Sequence, residues 1–359
     1  MPYVTVDTNN LMRDYLLIEG TVQTFLLGCR RCHIDVYFSE IVLDELAGNY
    51  FRDVSKAVTQ LMSLSRKLQR MGVRADIDAF DVPKEIQTYR THVRQMMEWA
   101  GVKTLPYPDV PVKELVTASY EGKKPFKDDG AGFKDYLIFC SIRKLAYHEQ
   151  GPGYFVTANR KDFCDGDGSL HPELRAALPM HCAVTVFDNI HAFNVEILVP
   201  QLEALDGIAA RIQAGEFEGF DLADGLTSLF IAELCDKFYR LDDTGTPLNE
   251  PMVMAVGEAH VAELNVSQLE ENRLLIELSG RVELELSGFI QKSDLYALDE
   301  QDMEDIHVSD PDWNDHVVRA STSRDLHFEI TLVFDEVKNN PSSVSVEISP
   351  LGDMEGLED

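Results

Sequence analysis

Residues 3 to 11 read YVTVDTNNL, a short, mostly apolar run that ends in an acid and a polar turn. Tyr3 to Val6 are aromatic or β-branched and do not alternate cleanly with charged residues, as expected of a parallel strand buried on both faces. Asp7 stands where such a strand hands over to a loop. In parallel sheets, sites form at the carboxyl ends of the strands, and an ionised carboxylate beside a buried strand is costly unless a cation or donor holds it. This one stretch predicts both a parallel sheet and an acid with a task.

Three more acids repeat the pattern further along: Glu45 in SEIVLDEL, Asp135 in GFKDYLIF and Asp162 in YFVTANRKDF. Leu11 to Cys29 reads as a helix and HIDVYFS as a second strand. Ser39 is placed to cap a helix on which Glu45 shares the inward side with Ile41, Val42 and Leu46, while Glu40 and Asp44 point elsewhere. DYLIFCSIRKLAYHE has helical period, with Asp135 in its first turn, where the helix dipole favours an anion. GYFVTANRKDF follows as strand and loop, with Asp162 just beyond the strand end, and AVTVFDNIHAFNVEIL as strand and closing helix. Such alternation predicts an α/β fold, a parallel sheet flanked by helices. Four carboxylates drawn from distant segments predict a shared site for a hard metal ion.

Residues 54 to 120 form a helical insertion in this reading. Its face of Lys56, Arg66, Lys67, Arg70, Arg74, Arg90 and Arg94 belongs either to a solvated hairpin or to a phosphate-contacting arm. The loop EGKKPFKDDGAGFK runs into the third acidic motif, so Lys123, Lys124, Lys127 and Lys134 are candidates for nucleic-acid contact, as are Arg160 and Lys161 beside the fourth. Solvation of an exposed loop is the plain alternative. Beyond residue 200 the pattern changes: in VELEL, Val282, Leu284 and Leu286 take one face and Glu283 and Glu285 the other. Residues 201–359 are therefore read as a separate acidic α+β domain with an antiparallel sheet, ending in a disordered tail, LGDMEGLED.

The net charge of −30 argues against nucleic-acid binding until its distribution is seen. Residues 1–199 carry 23 Lys+Arg against 26 Asp+Glu, whereas residues 200–359 carry 9 against 36. The amino-terminal part is nearly neutral, and less acidic still if four of its acids hold cations. Cys29, Cys32 and His33 spell the haem-attachment pattern, but His33 leads straight into a strand, and the other four cysteines are scattered singly. No thiolate site is expected, and His148, His171 and His181 are read as structural. With no apolar run near the roughly 20 residues a bilayer requires and no signal-peptide build at the amino terminus, the protein is expected in the cytoplasm with reduced cysteines.

D-T-N-x-L from Asp7, E-x-x-x-x-E-L ending on Glu45 and Leu46, G-F-K-D-x-L-I-F around Asp135 and F-V-T-x-N-x-K-D-F around Asp162 together resemble PIN domains, in particular longer bacterial PIN-like proteins of unknown function. The similarity covers about residues 1–200 and implies a metal-dependent endonuclease, usually an RNase, whose acids bind Mg2+ or Mn2+. Asp7, Glu45, Asp135 and Asp162 carry over as the catalytic metal ligands. Thr8 and Asn9 match the polar pair after the first acid, with Asn9 supporting the site. Where the commoner pattern has an acid two residues after the Thr, this chain has Asn159, which leaves Asp162 or Asp165 to complete the site. The implied partner is RNA, and the implied role a toxin or defence effector whose acidic domain binds a regulator; the sequence leaves an oligomer open. The alternatives are a catalytically degenerate PIN domain that only binds nucleic acid or protein, and a structure-specific DNA nuclease.

Overall fold

The computed structural model describes residues 1–73, 82–127, 130–220, 222–270, 272–298 and 305–351. Arg74 and the tail from residue 352 onward lie outside the described residues. The chain divides into two compact units, Met1–Leu202 and Glu203–Asp359.

In the first unit β1 (Tyr3–Val6), β2 (Asp35–Ser39), β3 (Lys103–Leu105), β4 (Gly153–Val156) and β5 (Val184–Phe187) form one parallel sheet in the order β3-β2-β1-β4-β5. The flanking helices are α1 (Thr8–Leu11), α2 (Gly20–Arg31), α3 (Glu40–Arg70), α4 (Val82–Ala100), α5 (Val112–Tyr120), α6 (Phe133–His148), α7 (Arg160–Phe163), α8 (Pro172–Ala176) and α9 (Ile190–Phe193), followed by a π-helical turn; α10 (Val199–Gln213) begins before Leu202 and continues in the second unit. This is the parallel, helix-flanked fold that the sequence predicts. All four residues of β1 are buried, as an inner strand between β2 and β4 requires. The strand order reverses between β1 and β4, the place where open parallel sheets form their ligand crevice.

Three details depart from expectation. The helix read from Leu11 is split, because the buried Asp14 carboxylate accepts the Glu19 amide at 2.7 Å and turns the chain before α2 begins; short acidic side chains compete for backbone donors in this way. The helical insertion read from residue 54 is continuous with the helix that Ser39 caps: α3 runs for 31 residues, a rod of about 46 Å at 1.5 Å per residue. Gly48 and Asn49 lower its helix propensity, but Asn49 is buried and Tyr50 stacks on Tyr89 of α4 with ring centroids 4.0 Å apart. The third is β3, a three-residue edge strand, unmarked in the sequence, whose Lys103 pairs with Asp35 at 2.6 Å.

The second unit is built on α11 (Leu222–Leu234), α12 (Leu241–Thr244), β6 (Asn249–Glu270), β7 (Arg273–Gln291), α13 (Lys292–Leu295), β8 (His307–Asp310), β9 (Val317–Asp335) and β10 (Asn340–Pro350). The strands make an antiparallel sheet in the order β10-β9-β7-β6, with β8 also on β9. Val282, Leu284 and Leu286 are fully buried while Glu283 and Glu285 are exposed, so one face is wet as expected. Phe230 of α11 meets Phe328 edge-on at 5.1 Å on the dry face. Burial of about 1.5–3 kcal/mol per large apolar side chain is what holds this sheet.

Candidate active site

Each acid owes its place to a local cause. Asp7 continues the β1 ladder, its amide donating to Val156 O at 2.8 Å, and its carboxylate caps α1 by accepting the Thr8 amide at 2.8 Å. Ser39 caps α3 by accepting the Val42 amide, which sets Glu45 in the second turn. Gly132 precedes α6 with φ +114, and a Cβ there would lie 2.7 Å from Pro125 O. Only glycine therefore allows the close loop that starts α6 and places Asp135 in its first turn. Asp162 sits in the single turn α7, buried at the end of the β4 loop.

Bonds and fields link the four. The Thr8 hydroxyl donates to Glu45 Oε2 at 3.0 Å, and the Thr157 hydroxyl to Asp7 Oδ2 at 2.8 Å. Burial, against the lowering effect of the Thr157 bond and with further raising by Asp135 and Glu45, pushes the Asp7 carboxyl up to about 6. Asp135 is raised as well, by burial first and then by Asp162 and Glu45, while Asn159 donates a hydrogen bond that opposes the rise. Two ammonium groups answer this negative field: Lys134 Nζ lies 2.6 Å from Glu45 Oε1, and Lys127 Nζ 3.1 Å from Asp162 Oδ2.

Among the described residues, no three His, Cys, Asp or Glu side chains stand close enough together to enclose a metal ion. The chemistry of the donors nonetheless fits a hard divalent cation. All four are carboxylates, the type Mg2+ and Mn2+ prefer, and their negative charges add to the burial that raises Asp7 and Asp135. Asp162 Oδ2 is buried, with the Lys127 ammonium 3.1 Å away and Asp135 close enough to feel its charge.

The remaining expected residues divide. Thr8 and Asn159 are bonded to the acids, whereas Asn9 is exposed. Asp165 closes its own turn, accepting the Asp167 amide at 3.3 Å, so Asp162 is the acid beside Asp135. Of the six basic candidates, only Lys127 and Lys134 reach these acids. Lys123 pairs with Glu121 at 2.5 Å and Arg160 with Asp188 at 2.9 Å, the Lys124 amide binds Glu173, and Lys161 is exposed. Thr157 stands in the fourth motif, but its bond to Asp7 is not legible in the sequence, because the two are 150 residues apart. All six cysteines are free, and burial lifts the Cys29 and Cys32 thiols above their usual range. His171 serves as the cap of α8.

A parallel sheet with Asp7 and Asp135 raised by burial and by neighbouring carboxylates makes this unit an α/β domain with an acidic candidate site. Residues 4–163 match the PIN domain family model, so a PIN domain lies within the amino-terminal unit. PIN domains are generally nucleases that bind nucleic acid and use divalent metal ions. No curated protein and no solved structure matches the chain. Among the described residues, no helix is long and apolar enough to cross a membrane.

Proposed function

We propose that the amino-terminal unit is a metal-dependent endoribonuclease that holds Mg2+ or Mn2+ on Asp7, Glu45, Asp135 and Asp162 and hydrolyses RNA phosphodiester bonds in the cytoplasm. The observation that carries the reading is that bonds join acids from separate segments, Thr8 bonding both Asp7 and Glu45 and Thr157 bonding Asp7, while Asp135 feels the charges of Asp162 and Glu45. A cation bound there supplies Lewis acidity at the phosphoryl oxygen and favours ionisation of an attacking water. The chain's own part is to hold the acids. Thr8 and Thr157 fix Asp7, Thr8 orients Glu45, and Asn159 orients Asp135. Lys127 and Lys134 neutralise Asp162 and Glu45, and with a cation bound they would lie beside the site to contact the phosphates of the substrate. The acidic carboxyl-terminal unit repels phosphate, and we assign it to a regulator or partner protein, in keeping with a toxin or defence effector.

The test is cleavage of single-stranded RNA with Mn2+ or Mg2+, abolished in Asp7→Asn. Retained cleavage in that variant dismisses the site assignment. Preferential cleavage of flap DNA replaces RNA by DNA as the substrate. A second reading is favoured by the same lysines: because Lys134 and Lys127 already neutralise Glu45 and Asp162, the domain is also suited to bind nucleic acid without cutting it. Millimolar Mn2+ that leaves the melting temperature unchanged decides for that reading.

A further inference from the structure

Beside Glu45 opens a groove of about 550 Å3 with Leu137 on its wall and Tyr107, Phe133, Lys134 and Arg52 around it. Phe133 and Tyr107 are 51% and 49% exposed, so each offers a ring face to solvent. Phe133 is the first residue of α6, two positions before Asp135, so its backbone is set by the same turn that places the acid. Tyr107 is held at both ends: its amide donates to Glu40 Oε2 at 3.0 Å and its hydroxyl to Asp44 Oδ2 at 2.9 Å. Neither ring is placed by packing into the core. Both are presented to one groove that ends on a carboxylate of the site.

The charges around the rings are those a nucleic-acid strand needs. Lys134 reaches Glu45, and Arg52 is anchored through its bond to Asn49. Asp44, the other acid in the groove, is offset by Arg90 at 3.4 Å. Aromatic faces flanked by cations are how proteins hold unpaired bases, since every base offers a π face and the backbone its charge. A duplex buries those faces in its own stack.

We propose that Tyr107 and Phe133 form a stacking subsite for an unpaired nucleobase next to the scissile phosphate, with Lys134 and Arg52 toward the flanking phosphates. The subsite rests on the nuclease reading above and adds to it a preference for single-stranded substrate at this position. The occupant is a base of the substrate strand, because the groove leads onto Glu45; a side chain of a protein partner is the outcome to be set against it.

The experiment uses the full-length protein in EDTA, and again on the Asp7→Asn background with Mg2+, titrated against a short single-stranded RNA carrying 2-aminopurine. The parent is expected to bind and quench the fluorophore. Phe133→Ala weakens binding about tenfold and removes the quenching, Phe133→Trp restores both, and binding of the same sequence as a duplex is unaltered by either change. Unchanged affinity and quenching in both Phe133→Ala and Tyr107→Ala overturn the subsite while leaving the nuclease reading in place. Full quenching by Phe133→Leu overturns it as well, since an apolar side chain without a ring face then suffices. A parent that binds no RNA in either condition overturns the subsite and the nuclease reading together.

Discussion

The Thr157 hydroxyl donates to Asp7 Oδ2 at 2.8 Å, joining the residue that follows β4 to the residue that follows β1. A donor to the ionised form lowers a carboxyl pKa, so here it works against burial, the larger effect, which lifts Asp7 to about 6. Thr157→Val takes the donor away and moves Asp7 further up. The acid limb of the cleavage profile is expected to shift to higher pH, with a greater loss at about pH 6 than at about pH 8. Thr157→Ser keeps the donor and the parent profile. A profile that falls evenly at all pH values in Thr157→Val contradicts this role.

The raised Asp7 also predicts a stability effect of definite sign. Its folded carboxyl, at about 6, binds a proton more tightly than the unfolded one at 3.8. Between those values the folded state carries more protons, so stability falls as pH rises through the window and stays lower above it. At about 1.4 kcal/mol per unit, Asp7 weakens the metal-free fold by about 3 kcal/mol at neutral pH. Asp7→Asn is therefore expected to melt higher than the parent in EDTA at neutral pH, and to lose that advantage in acid. Calorimetry at two pH values checks this, and a lower melting temperature at neutral pH counts against it.

Lys127 and Lys134 compete with any cation for Asp162 and Glu45. Lys134→Met is expected to lower the Mn2+ concentration needed for half-maximal thermal stabilisation by a few-fold, about 1 kcal/mol, while weakening RNA binding. Lys127→Met behaves likewise through Asp162. Loss of Mn2+ binding in both variants is the contrary result and makes the lysines supports of the site rather than competitors.

Gly132→Ala forces a Cβ to within 2.7 Å of Pro125 O at a φ of +114, a backbone conformation that side chains disfavour. The expected cost is about 1–3 kcal/mol, with a fall in cleavage larger than the fall in stability, because the strained turn carries Asp135. Denaturant unfolding beside a cleavage assay separates the two.

Much of this was readable in the chain, for physical reasons particular to each element. β1 and β2 announce themselves because inner parallel strands are apolar and short, and their carboxyl ends are marked by Asp7 and by the Ser39 cap. The two-residue period of β7 and β9 sorts buried from wet positions. What stayed hidden depends on distant partners. The continuity of α3 rests on Tyr50 meeting Tyr89, 39 residues away in the chain. The choice of Asp162 over Asp165 rests on which of them faces Asp135. Neither Thr157 nor the half-exposed Tyr107 and Phe133 stand out, since an isolated threonine or aromatic has no pattern until the fold shows what it adjoins.

Lys127 and Lys134 give the acids counter-ions from within the chain. On the proposed metal-dependent reading, the fold already has its counter-ions before any cation binds, and a cation would enter by exchange with these ammonium groups. Under that reading, ion supply after synthesis would set the activity, and chelation would leave a dormant but folded domain.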